Sequence, residues 1–217
     1  MDILFVGNSY TYYNDLPAIF QALARANGKD VNTYAVTKGA RRLDAYKFAE
    51  DVTTQKLVDA VAQRKYDVCF LQEQSVLPAK GYESFAEGIR IVLGLLGDRV
   101  DRVLLYATWG RKAGHKTLES NGWDTETMAK LLSDSYDKAG AEFGFTVSHV
   151  GKAFLWVYTR HPEIELYDAD MTHPSYAGSC LAALTHYHTL FGEYPEQLDC
   201  LQLPEYQLEA FKIAVCK

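Results

Sequence analysis

The order of apolar runs along the chain predicts an open, doubly wound α/β fold, with helices covering both faces of a five-stranded parallel sheet. Three observations predict it. Short apolar runs alternate with longer stretches repeating at helical spacing, which is the pattern of βαβ units. Most of the short runs are apolar throughout, as strands buried on both faces are. Polar turns follow the ends of these runs, where open parallel sheets bind their ligands.

The elements follow in order. Ile3 to Val6 reads as a strand, ending in the turn Gly7-Asn8-Ser9. Leu16 to Ala26 has apolar residues at 16, 19, 20 and 23, a helical face stopped by Asn27-Gly28. Val31 to Thr37 alternates and reads as a strand. Thr53 to Gln63 is a helix through Leu57, Val58 and Val61. Val68 to Leu71 is a buried strand, Phe85 to Leu96 a helix, and Val103 to Ala107 a fourth strand. Thr125 to Glu142 is helical through Met128, Leu132 and Tyr136. Phe145 to Val150 is a fifth, weaker strand. Ser175 to Phe191 and Glu205 to Val215 are the closing helices. Arg111 to Asp124 reads as a long polar connection, well beyond the typical length of about 2–6 residues.

The chain has 217 residues, enough for one domain spanning 1–217, and 48% of them are apolar, which excludes disorder as the main state. Its net charge of −6 and the lack of any basic run longer than two residues argue against nucleic acid as a partner. The longest apolar stretch, Ile91 to Gly97, is far short of the roughly 18–20 residues that cross lipid. Met1-Asp2 runs directly into an apolar strand with no basic region ahead of it, so the expected location is the cytoplasm. Cys69, Cys180, Cys200 and Cys216 show no CxxC and no zinc spacing. They read as free thiols, with a Cys200–Cys216 bridge left open.

The candidate chemistry lies where the strands end. Gly7-Asn8-Ser9-Tyr10-Thr11 follows the first strand and Lys38-Gly39-Ala40 the second. Gln72-Glu73-Gln74-Ser75 follows the third and Thr108-Trp109-Gly110-Arg111 the fourth. Asp170-Met171-Thr172-His173-Pro174-Ser175 precedes the long C-terminal helix. A parallel sheet brings these distant segments to one rim. Asp170, three residues before His173 on a turn, can accept the Nδ1 hydrogen and leave Nε2 free for Ser9. Pro174 suits the first turn of the helix that follows.

With these residues the chain resembles the SGNH hydrolases, the GDSL-like esterase superfamily. Gly7-Asn8-Ser9 is similar to the block that supplies the serine, and Asp170-Met171-Thr172-His173 to the closing D-x-x-H block. The resemblance runs from residue 3 to about residue 192. It implies a three-layer α/β/α fold with a flavodoxin-like strand order. It also implies acyl transfer: Ser9 attacks an ester carbonyl, His173 takes the proton, and Asp170 orients the ring. The oxyanion hole would draw on the N–H groups of Ser9 and Gly39. The family's third block, G-x-N-D, is replaced by Gln72-Glu73-Gln74-Ser75. Gln74 aligns with the family's Asn, whereas Gln72 sits at the strand end, where a side chain is more rigidly aimed. That rigidity favours Gln72 as the third donor. Glu73 either holds this loop by hydrogen bonding or is a solvated turn residue.

The resemblance implies an esterase for short acyl groups, acetyl foremost, plausibly on a carbohydrate, with a small-molecule or carbohydrate ester as partner. No metal or other cofactor is expected. Trp109, Arg111 and Tyr10 are the candidate substrate contacts, and Tyr12 and Tyr13 are either pocket wall or core. His186 and His188 face different directions on one helix and share no metal. His115 is expected in solvent. Two other readings stand beside this one. One is a flavodoxin-type protein that binds phosphate in the Gly7–Thr11 loop. The other is a catalytically silent protein of the same fold. The sequence leaves oligomeric state and natural substrate open.

Overall fold

The computed structural model describes residues 1–217. It contains five strands: β1 (Asp2–Gly7), β2 (Asn32–Thr37), β3 (Tyr66–Leu71), β4 (Val100–Tyr106) and β5 (Thr146–Ser148). All pair in parallel in the order β2-β1-β3-β4-β5. The main helices are α1 (Ser9–Tyr12), α2 (Leu16–Ala26), α3 (Val52–Gln63), α4 (Leu77–Lys80) and α5 (Tyr82–Leu96). After β4 come α6 (Lys116–Asn121), α7 (Thr125–Phe143), α8 (Val150–Arg160), α9 (Tyr176–Phe191) and α10 (Glu205–Val215).

The strands sort their side chains by parity. Ile3, Phe5, Val68, Phe70, Leu104 and Tyr106 enter one core, which they share with α2, α8, α9 and α10. Leu4, Val6, Cys69, Leu71 and Leu105 enter the other, under α3, α5 and α7. This two-sided burial explains why these strands read as unbroken apolar runs. Helix α9 is buried on most of its circumference, from Gly178 to Tyr187, because α2 and α8 flank it. No helix is long and apolar enough to cross a membrane.

Two expectations are corrected. Phe145 to Val150 is not one strand. Pairing stops at Ser148, and Val150 begins α8, which the apolar pattern did not separate. The helical signal was present, since Val150, Ala153, Phe154 and Val157 are buried at one-face spacing. Gly151 lets the new helix start hard against β4, because a Cβ there would meet Thr108 O at 2.2 Å. Arg111 to Asp124 is not an unstructured connection, since it carries α6. The helix is capped by His115, which is half-buried rather than solvated and whose Nδ1 accepts the Thr117 N–H at 3.0 Å. All four cysteines are free.

Register aligns the strand ends. Gly7 pairs with Thr37, Val6 with Leu71, and Leu71 with Leu105. The turns after β1, β2, β3 and β4 therefore share one rim. β1 sits where the chain winds outward in both directions, so a crevice opens beside its end.

Candidate active site

The chain leaves β1 through Gly7, where space is lacking for a side chain. A Cβ there would meet Thr11 Oγ1 at 2.5 Å and Gln72 Oε1 at 2.6 Å. Asn8 then caps α1, its side chain accepting the Tyr10 N–H at 3.2 Å. The Asn8 amide also donates to Arg41 O at 3.1 Å and Glu73 O at 3.4 Å. One side chain thus ties together the loops after β1, β2 and β3. Ser9, the first residue of α1, has an N–H with no intrahelical acceptor.

Across the rim, Asp170 folds its own loop. Its Oδ1 accepts the N–H groups of Thr172 and His173, each at 2.9 Å. Its Oδ2 lies 2.5 Å from His173 Nδ1, and His173 Nε2 lies 2.8 Å from Ser9 Oγ. Burial alone would raise the Asp170 carboxyl. The hydrogen bonds from the His173 side chain, the His173 N–H and the Thr172 N–H outweigh it and hold the group below its ordinary range. Tyr13 stacks on the His173 ring, with centroids 4.1 Å apart and planes 8° from parallel.

These groups border a cleft of about 340 Å³, whose lining includes Ser9, Gly39, Gln74, Arg111, Thr172 and His173. The Gly39 N–H has no acceptor within the protein and belongs to a turn closed by the Arg41 N–H on Lys38 O at 3.0 Å. Gln74 Oε1 accepts the N–H groups of Val76 and Leu77 at 3.0 Å each, so the amide is fixed and its Nε2 is free. No cluster of His, Cys, Asp or Glu is arranged to hold a metal ion.

Two expectations about the rim need correction, and an alternative left open at Glu73 is decided. Gln72 does not point into the cleft. It is fully buried, its Oε1 accepting the Asn8 N–H at 2.9 Å and the Thr11 hydroxyl at 3.0 Å, while its Nε2 donates to Glu73 O. The same bonds spend two donors that a phosphate cradle at Gly7–Thr11 would need. Trp109 is only 1% exposed. It is sandwiched between Tyr10 at 4.4 Å and Phe154 of α8 at 4.0 Å, with its Nε1 donating to Thr172 O at 3.2 Å, and so offers no face to a substrate. Of the two readings of Glu73, the structure supports the one in which it holds the loop by hydrogen bonding. It is buried, and its carboxyl accepts Leu43 N–H at 3.0 Å and Gln74 N–H at 2.5 Å. Burial pushes its pKa up to about 8 against those two bonds. Tyr10 and Arg111 do reach the cleft.

Sequence reasoning did not single out the Asn8 amide, the Tyr13 stack or Thr172. Asn8 stood in the quoted motif, but only folded loops show what its side chain joins.

No protein-family profile matches the chain, and no curated protein does. Solved structures do. A proposed SGNH hydrolase from Slackia heliotrinireducens is 27% identical, with a TM-score of 0.76 over 88% of this chain and 98% of that one. The chain belongs to the SGNH hydrolase superfamily. A DUF4886 family protein from Bacteroides uniformis has a TM-score of 0.81 at 17% identity, over 99% of this chain and 93% of that one. An acetylxylan esterase from Geobacillus stearothermophilus has a TM-score of 0.62 at 15% identity, over 91% and 97%. These two likenesses show the fold alone. The chain is an SGNH-type hydrolase.

Proposed function

We propose that this hydrolase is a serine esterase that removes short acyl groups, acetyl foremost, acting as one unit over residues 1–217. One observation carries the reading: Ser9 Oγ, His173 and Asp170 stand in line at 2.8 Å and 2.5 Å in a cleft open to solvent. In this reading Ser9 Oγ attacks the ester carbonyl carbon as its proton passes to His173 Nε2. Asp170 holds the ring and stabilises the imidazolium. The oxyanion meets the N–H groups of Ser9 and Gly39 and, in place of the expected Gln72, the Gln74 Nε2. Collapse expels the alcohol, which leaves with the proton from His173. Water, deprotonated by His173, then splits the acyl-enzyme to the free acid and Ser9.

A carbohydrate as the alcohol is supported by the hydrogen-bonding side chains that line the small cleft, among them Asn8, Gln74, Ser75, Arg111 and Thr172. The Geobacillus stearothermophilus neighbour, described as an acetylxylan esterase, points the same way. Labelling with a fluorophosphonate, followed by peptide mass spectrometry, tests the nucleophile, and modification is expected on Ser9. Acetate release from acetylated xylo-oligosaccharides, compared with an acetylated simple alcohol, tests the substrate. A chain that resists the probe and releases no acetate is catalytically silent.

A further inference from the structure

Arg111 is a buried charge without a counter-charge. The residue is 7% exposed and lines the cleft beside Ser9. Its Nη2 donates to Ser75 Oγ at 2.8 Å and its Nη1 to the Tyr10 hydroxyl. Both partners are neutral, since burial raises the Tyr10 phenol to about 12 even with Arg111 beside it. Arg111 takes part in none of the protein's ion pairs, and no carboxylate or lysine lines the cleft. The other buried arginine shows the usual solution: Arg41, also 7% exposed, has Asp51 at 2.9 Å.

A guanidinium has five N–H donors, and two are used here. The Arg111 Nε is buried with no acceptor, the Thr172 Oγ1 is buried with no partner, and both residues line the cleft. Lys112 N–H donates to Met171 O at 3.1 Å and Trp109 Nε1 to Thr172 O at 3.2 Å, so the segments carrying Arg111 and Thr172 are tied side by side. A desolvated cation and an unused hydroxyl therefore belong to the lining of one small cleft. Burying an unpaired charge is unfavourable unless an anion completes the site. A single guanidinium with no second fixed cation suits a singly charged planar group, which it can grip through two N–H donors.

We propose that Arg111 and the Thr172 hydroxyl form a carboxylate-binding subsite, and that the preferred ester carries a carboxylate near the bond that is cleaved. On a carbohydrate, that group is the carboxylate of an acidic sugar. The word "ester" rests on the function proposed above, but the subsite does not.

Two pairs of near-isosteric esters test it. Monomethyl succinate against methyl levulinate places the charge on the acyl side. Acetoxyacetate against acetoxyacetone places it on the alcohol side. In one pair kcat/KM should favour the anion by about tenfold or more, as a charge-assisted contact implies. Arg111→Met should bring that ratio close to one, mainly through KM, and Arg111→Lys should retain part of it. Ratios near one in both pairs, or a ratio that survives Arg111→Met, overturn the proposal. If Arg111→Met does not fold, an unchanged ratio in both Arg111→Lys and Thr172→Val overturns it. Calorimetry on Ser9→Ala with monomethyl succinate and acetoxyacetate separates this from the esterase reading. Heat with one anion, absent when Arg111→Met is added, supports the subsite even if no ester is hydrolysed. No heat with either anion overturns it even if all four esters are.

Discussion

The Tyr13 ring lies flat on the His173 imidazole, 4.1 Å from centroid to centroid. A flat aromatic face restrains the ring and favours its cationic form as the proton arrives. Tyr13 is then a positioning residue. Tyr13→Ala should lower kcat by roughly 2–30-fold, the range such a contact supplies, with KM nearly unchanged. Tyr13→Phe should restore kcat, because the face and not the hydroxyl acts. A Phe variant as slow as Ala would rule this out.

Ser9→Ala should lower kcat by about 10⁴-fold or more in steady-state assays on an activated acetyl ester. Asp170→Ala should cost less than His173→Ala, because His173 still takes the proton when its orienting partner is gone. Equal activity in wild type and Ser9→Ala would show that a different nucleophile operates.

The two glutamines of the third block should separate cleanly. Gln74→Ala should lower kcat by about 10²-fold with KM nearly unchanged, since the oxyanion bond forms mainly in the transition state. Gln72→Ala should act on stability instead, costing about 1–3 kcal/mol in denaturant titrations. It leaves the Asn8 N–H and Thr11 hydroxyl buried without their acceptor. Full kcat in both variants would mean that the hole is built from backbone alone.

Glu73 sets an alkaline slope. Its pKa in the folded chain, about 8, is above the ordinary carboxyl value of 4.5. Between these values the folded chain holds a proton that the unfolded chain has lost, so stability falls as pH rises. The loss should approach about 1.4 kcal/mol per pH unit within that window and level off above about pH 8. Glu73→Gln, which keeps one acceptor oxygen for Leu43 and Gln74, should flatten the slope in unfolding curves taken from pH 5 to 9. A slope unchanged by the substitution would exclude Glu73 as its source.

His186 sets the opposite slope. It is fully buried between Phe70 and Tyr106, and burial lowers its pKa to about 3. Below about pH 6.5 the unfolded chain gains a proton that the folded chain refuses, so stability should fall with acidification towards pH 3. His186→Phe should remove this contribution. The Ser148 hydroxyl, 2.7 Å from His186 Nδ1, keeps Thr189 at 3.3 Å as a partner. Identical acid unfolding midpoints in the two proteins would contradict this.

The sheet was legible because buried parallel strands need uninterrupted apolar residues, a constraint local enough to see in Ile3–Val6 and Val68–Leu71. The association of Ser9, Asp170 and His173 was legible because parallel strands deliver their ends to one rim. The amide geometry of Gln72 was not. Its fate depends on Gly7, whose missing side chain lets Gln72 reach Asn8 and Thr11 across the strand ends. Trp109 misled for a similar reason: Phe154, the ring that covers its outer face, belongs to α8, for which the apolar pattern assigns no element beyond Val150.

Ser9 and His173 are separated by 164 positions, yet their 2.8 Å contact joins the first strand's exit to the loop ahead of α9. The reactive pair therefore cannot assemble on the ribosome until nearly the whole polypeptide has emerged. Until then Ser9 sits on a nascent chain as an ordinary, unreactive alcohol. Probe labelling during refolding would consequently report closure of this long-range contact.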